Sequence, residues 1–214
     1  IQYTMQIIMA FLMISMMSIM LPRANVSAKR VIEVLETKNT IIDPKNPIEF
    51  KKNGTNKIEF KNVSFRYPDA DYDVMTDINF TAESSQTTAF IGSTGSGKST
   101  LINLIPRFYD ITSGEILIDD TNIQDVSIKK LRDKIGFVPQ KGVLFTGTIS
   151  ENVKYGNNNI SDEMVKKALD ISQSTEFVSK LKGKENYKIS QGGTNVSGGQ
   201  KQRLSIARAI AKNP

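Results

Sequence analysis

The sequence predicts an α/β domain with a substantial parallel sheet, preceded by one membrane-length helix. Three observations carry this. Residues 1–22 contain no charged side chain. From Ile58 onward, short β-type runs alternate with loops and helical stretches, the pattern of helices packed on a mostly parallel sheet. One of those runs feeds a glycine-rich loop of fixed spacing that opens a helix.

The first segment, "IQYTMQIIMAFLMISMMSIML", is long enough to cross a bilayer. A helix rises about 1.5 Å per residue and the hydrocarbon core is about 30 Å thick. Six of the eight methionines lie in it. Arg23, Lys29 and Arg30 follow, which places this end on the cytoplasmic side. A signal peptide wants its charges before the apolar run, not after it. Gln2, Gln6, Ser15 and Ser18 are polar positions within the span, suited either to lining a path or to bonding neighbouring helices. "ANVSAKRVIEVLETK" continues as an amphipathic helix with Val31, Ile32, Val34 and Leu35 on its apolar side. "NTIIDPKNPIEFKKNGTNK", with its prolines and glycine, reads as a linker.

The second unit starts near Ile58. "KIEFKNVSFRY" alternates like a strand. "TTAFIG" is a short β-type run before the glycine loop. "TLINLI" is helical and halts at Pro106. "GEILID" and "KIGFVP" read as strands. Ser161 caps a helix, "DEMVKKALDIS". Neither cysteine nor histidine occurs anywhere in the chain. That excludes a disulfide framework, a thiolate metal site and the commonest general base. The net charge of +6 suits nucleic acid or a membrane-proximal cytoplasmic domain equally.

Residues 92–100, "GSTGSGKST", fit G-x-x-x-x-G-K-[ST] between a β-type run and a helix. Gly92, Gly95 and Gly97 allow sharp backbone turns, so that the N–H groups of Ser93, Thr94, Ser96 and their neighbours face phosphate oxygens at a helix N-terminus. Lys98 adds charge for the outer phosphates. The Ser99 hydroxyl suits Mg²⁺, with Thr100 beside it. The implied ligand is a nucleoside triphosphate.

With this loop in place, the chain resembles the ATP-binding cassette (ABC) transporters, in particular exporters that fuse membrane helices to the ATPase domain. The resemblance runs from "MLPRANVSAKRVIEVLE" through "VSFRYPDADYDVMTDINF", "IGSTGSGKSTLINLIPRFYDITSGEILIDD" and "IGFVPQKGVLFTGTISENVKYG" to "NVSGGQKQRLSIARAI". It implies three regions: residues 1–23 as the last membrane helix, 24–57 as cytoplasmic extension and linker, and 58–214 as the ATP-binding domain. It implies that Tyr67 stacks on adenine; read alone, Tyr67 is a strand-end aromatic. It implies that Gln140 ligates Mg²⁺ or positions water, and that Ser197, Gly198, Gly199 and Gln200 form the signature that binds ATP held by a second subunit. Read alone, Ser197 is a helix N-cap. Lys201 and Arg203 are expected on a solvated or interdomain face. The sequence departs from the family at Ser84-Ser85 and at Asp120, where turn residues such as glycine are usual.

The resemblance further implies ATP and Mg²⁺ as ligands, a second half-transporter as partner (identical or not), a bilayer, an unread transported substrate and no nucleic acid. The expected location is the cell membrane with the ATP-binding domain cytoplasmic. In the family, a strand ending in Asp-Glu and a later histidine follow the signature helix; this sequence carries neither. The expectation is therefore an incomplete, C-terminally truncated ATPase domain that folds poorly alone, binds nucleotide weakly and does not hydrolyse it. Two alternatives stand beside the exporter: a catalytically silent regulatory half, and a soluble ATPase of this type acting on DNA, against which the apolar span argues.

Overall fold

The computed structural model describes residues 1–51, 54–157 and 159–214. Lys52 and Asn53, part of the expected linker, lie outside the described residues. The chain divides into two compact units, Ile1–Ile42 and Asp43–Pro214.

The first unit is one helix, α1, Gln2–Glu36. It runs unbroken through the apolar span and the amphipathic stretch, and its length and composition suffice to cross a membrane. Pro22 lies inside it. Proline has no N–H, so the turn there lacks one backbone bond. The Ser18 hydroxyl donates back to the Ile14 carbonyl at 2.9 Å.

The second unit opens with the antiparallel strands β1, Ile58–Phe65, and β2, Met75–Ala82. Helix α2, Lys98–Leu104, follows the glycine loop. Strands β3, Ser113–Ile118, and β4, Thr121–Asn122, form a hairpin. The four strands make one antiparallel sheet in the order β2-β1-β3-β4. A bulge in β1 leaves Asn62 at φ 50°. Gly114 of β3 passes so close that a Cβ there would sit 2.3 Å from the Asn62 carbonyl oxygen. Only glycine fits that approach. Helix α3, Ile128–Asp133, completes this part. Phe60, Val63, Phe65, Leu104, Ile116 and Leu131 anchor its core.

The remainder is largely helical: β5, Gly147–Thr148; α4, Ile149–Val153; α5, Asp162–Ile171; α6, Thr175–Ser179; β6, Lys188–Ile189; and α7, Gly198–Ala211. Ser161 caps α5 as expected, accepting from the Met164 N–H. Leu144, Ile149, Val153, Val165, Leu169 and Leu204 build a second core.

One expectation is corrected. No parallel sheet forms among the described residues, whose parallel pairing is confined to a single bridge between Ile48 and Val126. Neither "TTAFIG" nor "KIGFVP" enters a ladder. Parallel strands belong in sheets covered on both faces with neighbours to bond. Neither run finds such a neighbour among the described residues, and Ile91 is 94% exposed. Phe90 nonetheless packs edge-on against Phe80, with ring centroids 5.0 Å apart.

Residues 43–57 read as a loose linker, yet their described part is strapped to the sheet and to α3. The Asp43 carboxylate accepts from the Ile128 N–H at 2.6 Å, supplying a partner at the start of α3. The Ile48 N–H donates to the Asp125 carbonyl at 2.9 Å. Glu49 pairs with Lys130. Lys134 lies over the Phe50 ring at 4.8 Å. Asp119, 4% exposed, accepts from the Lys57 N–H at 3.1 Å and from the Lys134 Nζ at 3.3 Å. Asp119 and Asp120 turn the β3–β4 hairpin with φ of 52° and 59°. Two successive positive φ values are the mark of the tight hairpin turn that matches strand twist.

Candidate nucleotide site

The glycine loop takes its shape from Gly95 and Gly97, both at φ 84°. That region strains any residue with a Cβ. Gly97 is the N-cap of α2, and Leu101 and Leu104 pin the helix into the first core. Lys98 turns inward. Its ammonium donates to the Gly92 carbonyl at 2.9 Å, the Ser93 carbonyl at 2.6 Å and the Ser96 hydroxyl at 3.2 Å. The loop thus closes around its own cation. Thr94 and Ser99 are exposed.

Thr100 is buried and shares a 2.8 Å hydrogen bond with the Tyr67 hydroxyl. Tyr67 in turn packs edge-on against Phe65 and Tyr109, with ring centroids 4.8 and 5.1 Å apart. The predicted aromatic and the predicted loop are therefore joined by a bond from strand end to helix start. No spacing rule in the sequence announces that bond.

Ser197, Gly198, Gly199 and Gln200 sit at the start of α7. The Ser197 hydroxyl accepts from the Gln200 N–H while the Gln200 side chain accepts from the Ser197 N–H, a full capping box. Gly198 and Gly199 have open space where a Cβ would stand. Both are exposed at a helix N-terminus, the arrangement that attracts an anion. Helix α7 packs into the second core and α2 into the first. The structure brings Tyr67 and the glycine loop together, and it keeps the signature on a separate core.

Gln140 is exposed. The segment just after it is locked to α7. A Cβ on Gly142 would lie 2.7 Å from the Lys201 carbonyl oxygen, so glycine allows the close approach. Arg208 of α7 donates to the Val143 carbonyl at 3.1 Å, the Asn152 carbonyl at 2.8 Å and the Asn152 Oδ1 at 3.2 Å. Its guanidinium lies 5.4 Å from the ring centroids of both Phe145 and Tyr155. Burial pushes the Arg208 pKa below the usual arginine value. Asn152, 2% exposed, also bonds the Phe145 N–H and carbonyl. Asn152 and Arg208 carry no signal in the sequence, because Asn152 sits in a mixed helical turn beside Ser150 and Glu151 and its burial depends on contacts with α7. Lys201 and Arg203 are half-buried and donate to the Gly192 and Gln173 carbonyls of the same unit, at 2.9 and 2.8 Å.

A groove of about 690 Å³ is lined by Phe108, Arg132, Phe137, Tyr155, Arg208 and neighbouring residues. None of the sequence-predicted site residues lines it. Among the described residues there is no cluster of three or more acidic side chains that would cage a metal. The donors present are hydroxyl and amide oxygens. They fit a Mg²⁺ that arrives on a triphosphate, because Mg²⁺ keeps waters and phosphate oxygens as most of its ligands.

The family model described as ABC transporter matches residues 75–214. An uncharacterized ABC transporter ATP-binding protein of Mycobacterium tuberculosis is 42% identical over 216 residues, covering 99% of this chain and 37% of the relative. A putative multidrug export ATP-binding/permease protein of Staphylococcus aureus is 45% identical over 168 residues, covering 78% of this chain and 28% of the relative. A solved bacterial Atm1-family ABC exporter with ATP bound superposes with a TM-score of 0.82 at 32% identity, over 90% of this chain and 33% of that one. The chain spans 28% to 37% of the length of these curated relatives.

Proposed function

The chain belongs to the ABC transporter family, and from that premise we propose that it is the ATP-binding part of an exporter. The observation that carries this is the glycine loop closed on Lys98 and tied through Thr100 to Tyr67. A triphosphate would take the Lys98 ammonium from the Gly92 and Ser93 carbonyls. Charge-assisted bonds to phosphate are the stronger kind. Adenine would stack on the Tyr67 side. Ser99 and Gln140 would hold Mg²⁺, which neutralises phosphate charge when bound.

The signature completes a different nucleotide site. Its exposed glycines stand on a core separate from the glycine loop, which suits contact with ATP held by a second subunit, identical or not. Two copies would then close head to tail on two nucleotides. Helix α1 would sit in the cell membrane with the ATP-binding unit in the cytoplasm, and the exported substrate is set by membrane helices beyond this one. We assign residues 1–23 to the membrane, 24–57 to the connection and 58–214 to nucleotide binding.

For the 214 residues alone, we propose nucleotide binding without turnover. Phosphoryl transfer needs a group that polarises and orients the attacking water, and apart from Gln140, which would be engaged with Mg²⁺, none is assigned among the site residues. The test is titration of the chain with a fluorescent ATP analogue and a parallel phosphate-release assay. Binding should weaken about 10- to 100-fold in Lys98→Ala, the loss of a charged hydrogen bond worth about 1.5–3 kcal/mol. Binding that ignores the substitution would overturn the assignment. Lys98-dependent phosphate release would overturn the absence of turnover.

A further inference from the structure

The methionines of α1 are not scattered along it. With 3.6 residues per turn, Met5, Met9, Met13, Met16, Met17 and Met20 fall within an arc of about 120°. Within residues 1–21, Gln2 and Gln6 are the remaining residues in that arc. Ile7, Ile8, Phe11, Leu12, Ile14 and Ile19 all lie outside it. In the structure Gln2, Met5, Gln6, Met9 and Met13 line one shallow concavity.

Hydrophobicity alone does not produce this separation, because leucine or isoleucine would serve a lipid-facing or packing role equally well. What the arc concentrates is sulfur. Each of its methionines has another three or four residues away, the spacing at which side chains on one helix face meet. The run from Met5 to Met20 forms a ladder about 22 Å long at 1.5 Å per residue. Methionine has three rotatable bonds and a polarisable thioether, so neighbouring sulfurs can converge on one point. Thioethers are soft ligands that select Cu(I) over hard cations. The Gln2 and Gln6 amides offer carbonyl oxygens beside the first two rungs.

We infer that adjacent methionines among Met5, Met9 and Met13 bind a soft monovalent cation between their thioethers, with Met16, Met17 and Met20 continuing the ladder. The site involves no redox step and is independent of the nucleotide site. The probe is Ag(I), a soft monovalent ion that does not change oxidation state in air. The 214-residue chain in lipid nanodiscs, with ¹³C-methyl methionine, is titrated with Ag(I) and followed by NMR and calorimetry. The methyl signals of Met5, Met9 and Met13 should shift saturably. Met75 and Met164, in the other unit, should not move. The triple variant M5L/M9L/M13L keeps the span apolar, and its affinity should fall by about tenfold or more, as loss of well-placed metal partners does. Helix content and ATP-analogue binding measured on the same sample show that the variant is folded. Ag(I) shifting all eight methionines alike, or binding equally to the variant, would overturn the site. An apolar amphiphile that shifts the same methyls while Ag(I) does not would assign the face to apolar cargo instead.

Discussion

Ser85 occupies the left-handed region at φ 60°, where the family usually places a turn glycine. An L-residue there costs roughly 1–2 kcal/mol. Glycine removes that strain but frees the unfolded chain, so Ser85→Gly should raise stability by about 0.5–1 kcal/mol. Urea denaturation checks it; a lower midpoint would show that Ser85 earns its place otherwise. Asp120 is the other departure, and here the aspartate has partners. Lys51 bonds it at 3.0 Å and Lys57 lies at 3.5 Å. These ammonium groups, Lys51 first, hold its carboxyl below the usual aspartate range. The folded state therefore favours the ionised form. The contribution is fully present above the ordinary aspartate pKa and is lost as pH falls through the depressed value. Asp120→Asn should remove this part of the acid limb of the stability curve. Coincident acid limbs for the two proteins would refute it.

At the scale of elements, Arg208 joins α7 to Val143 of the segment after Gln140 with one hydrogen bond and to Asn152 of α4 with two, beside two aromatic faces. Lysine cannot reproduce that planar fork. Arg208→Lys should cost about 1–3 kcal/mol by urea denaturation. An unchanged midpoint would mean that Asn152 holds the segment without help. The elements legible in the sequence were those with local signals. Strands β1 and β3 announced themselves by apolar patterning, α5 and α7 by the caps Ser161 and Ser197. The strap was illegible because its partners lie 62–85 residues away and its own composition is polar and broken. "TTAFIG" and "KIGFVP" have the right composition for strands, but a strand exists only through a neighbour.

At the scale of the whole molecule, the unpaired run before the glycine loop has a measurable signature. Amides of residues 87–91 should exchange with solvent far faster than those of β1 and β3, which are bonded within the sheet. Protection equal to the sheet would show that the run is paired in solution. The glycine loop and the signature were legible because glycine spacing fixes what a backbone can do. That they stand on separate cores was not legible, since no local pattern reports which core a helix joins. The strap has one more consequence, in the order of events during synthesis. Residues 43–57 leave the ribosome well before the hairpin and α3 that hold them. With separations of 62–85 residues, the wait is about 3–17 s at 5–20 residues per second. For that interval Phe50 and Ile48 have no surface to cover, so the strap is the first part of this unit to be made yet stays loose until the hairpin and α3 follow it.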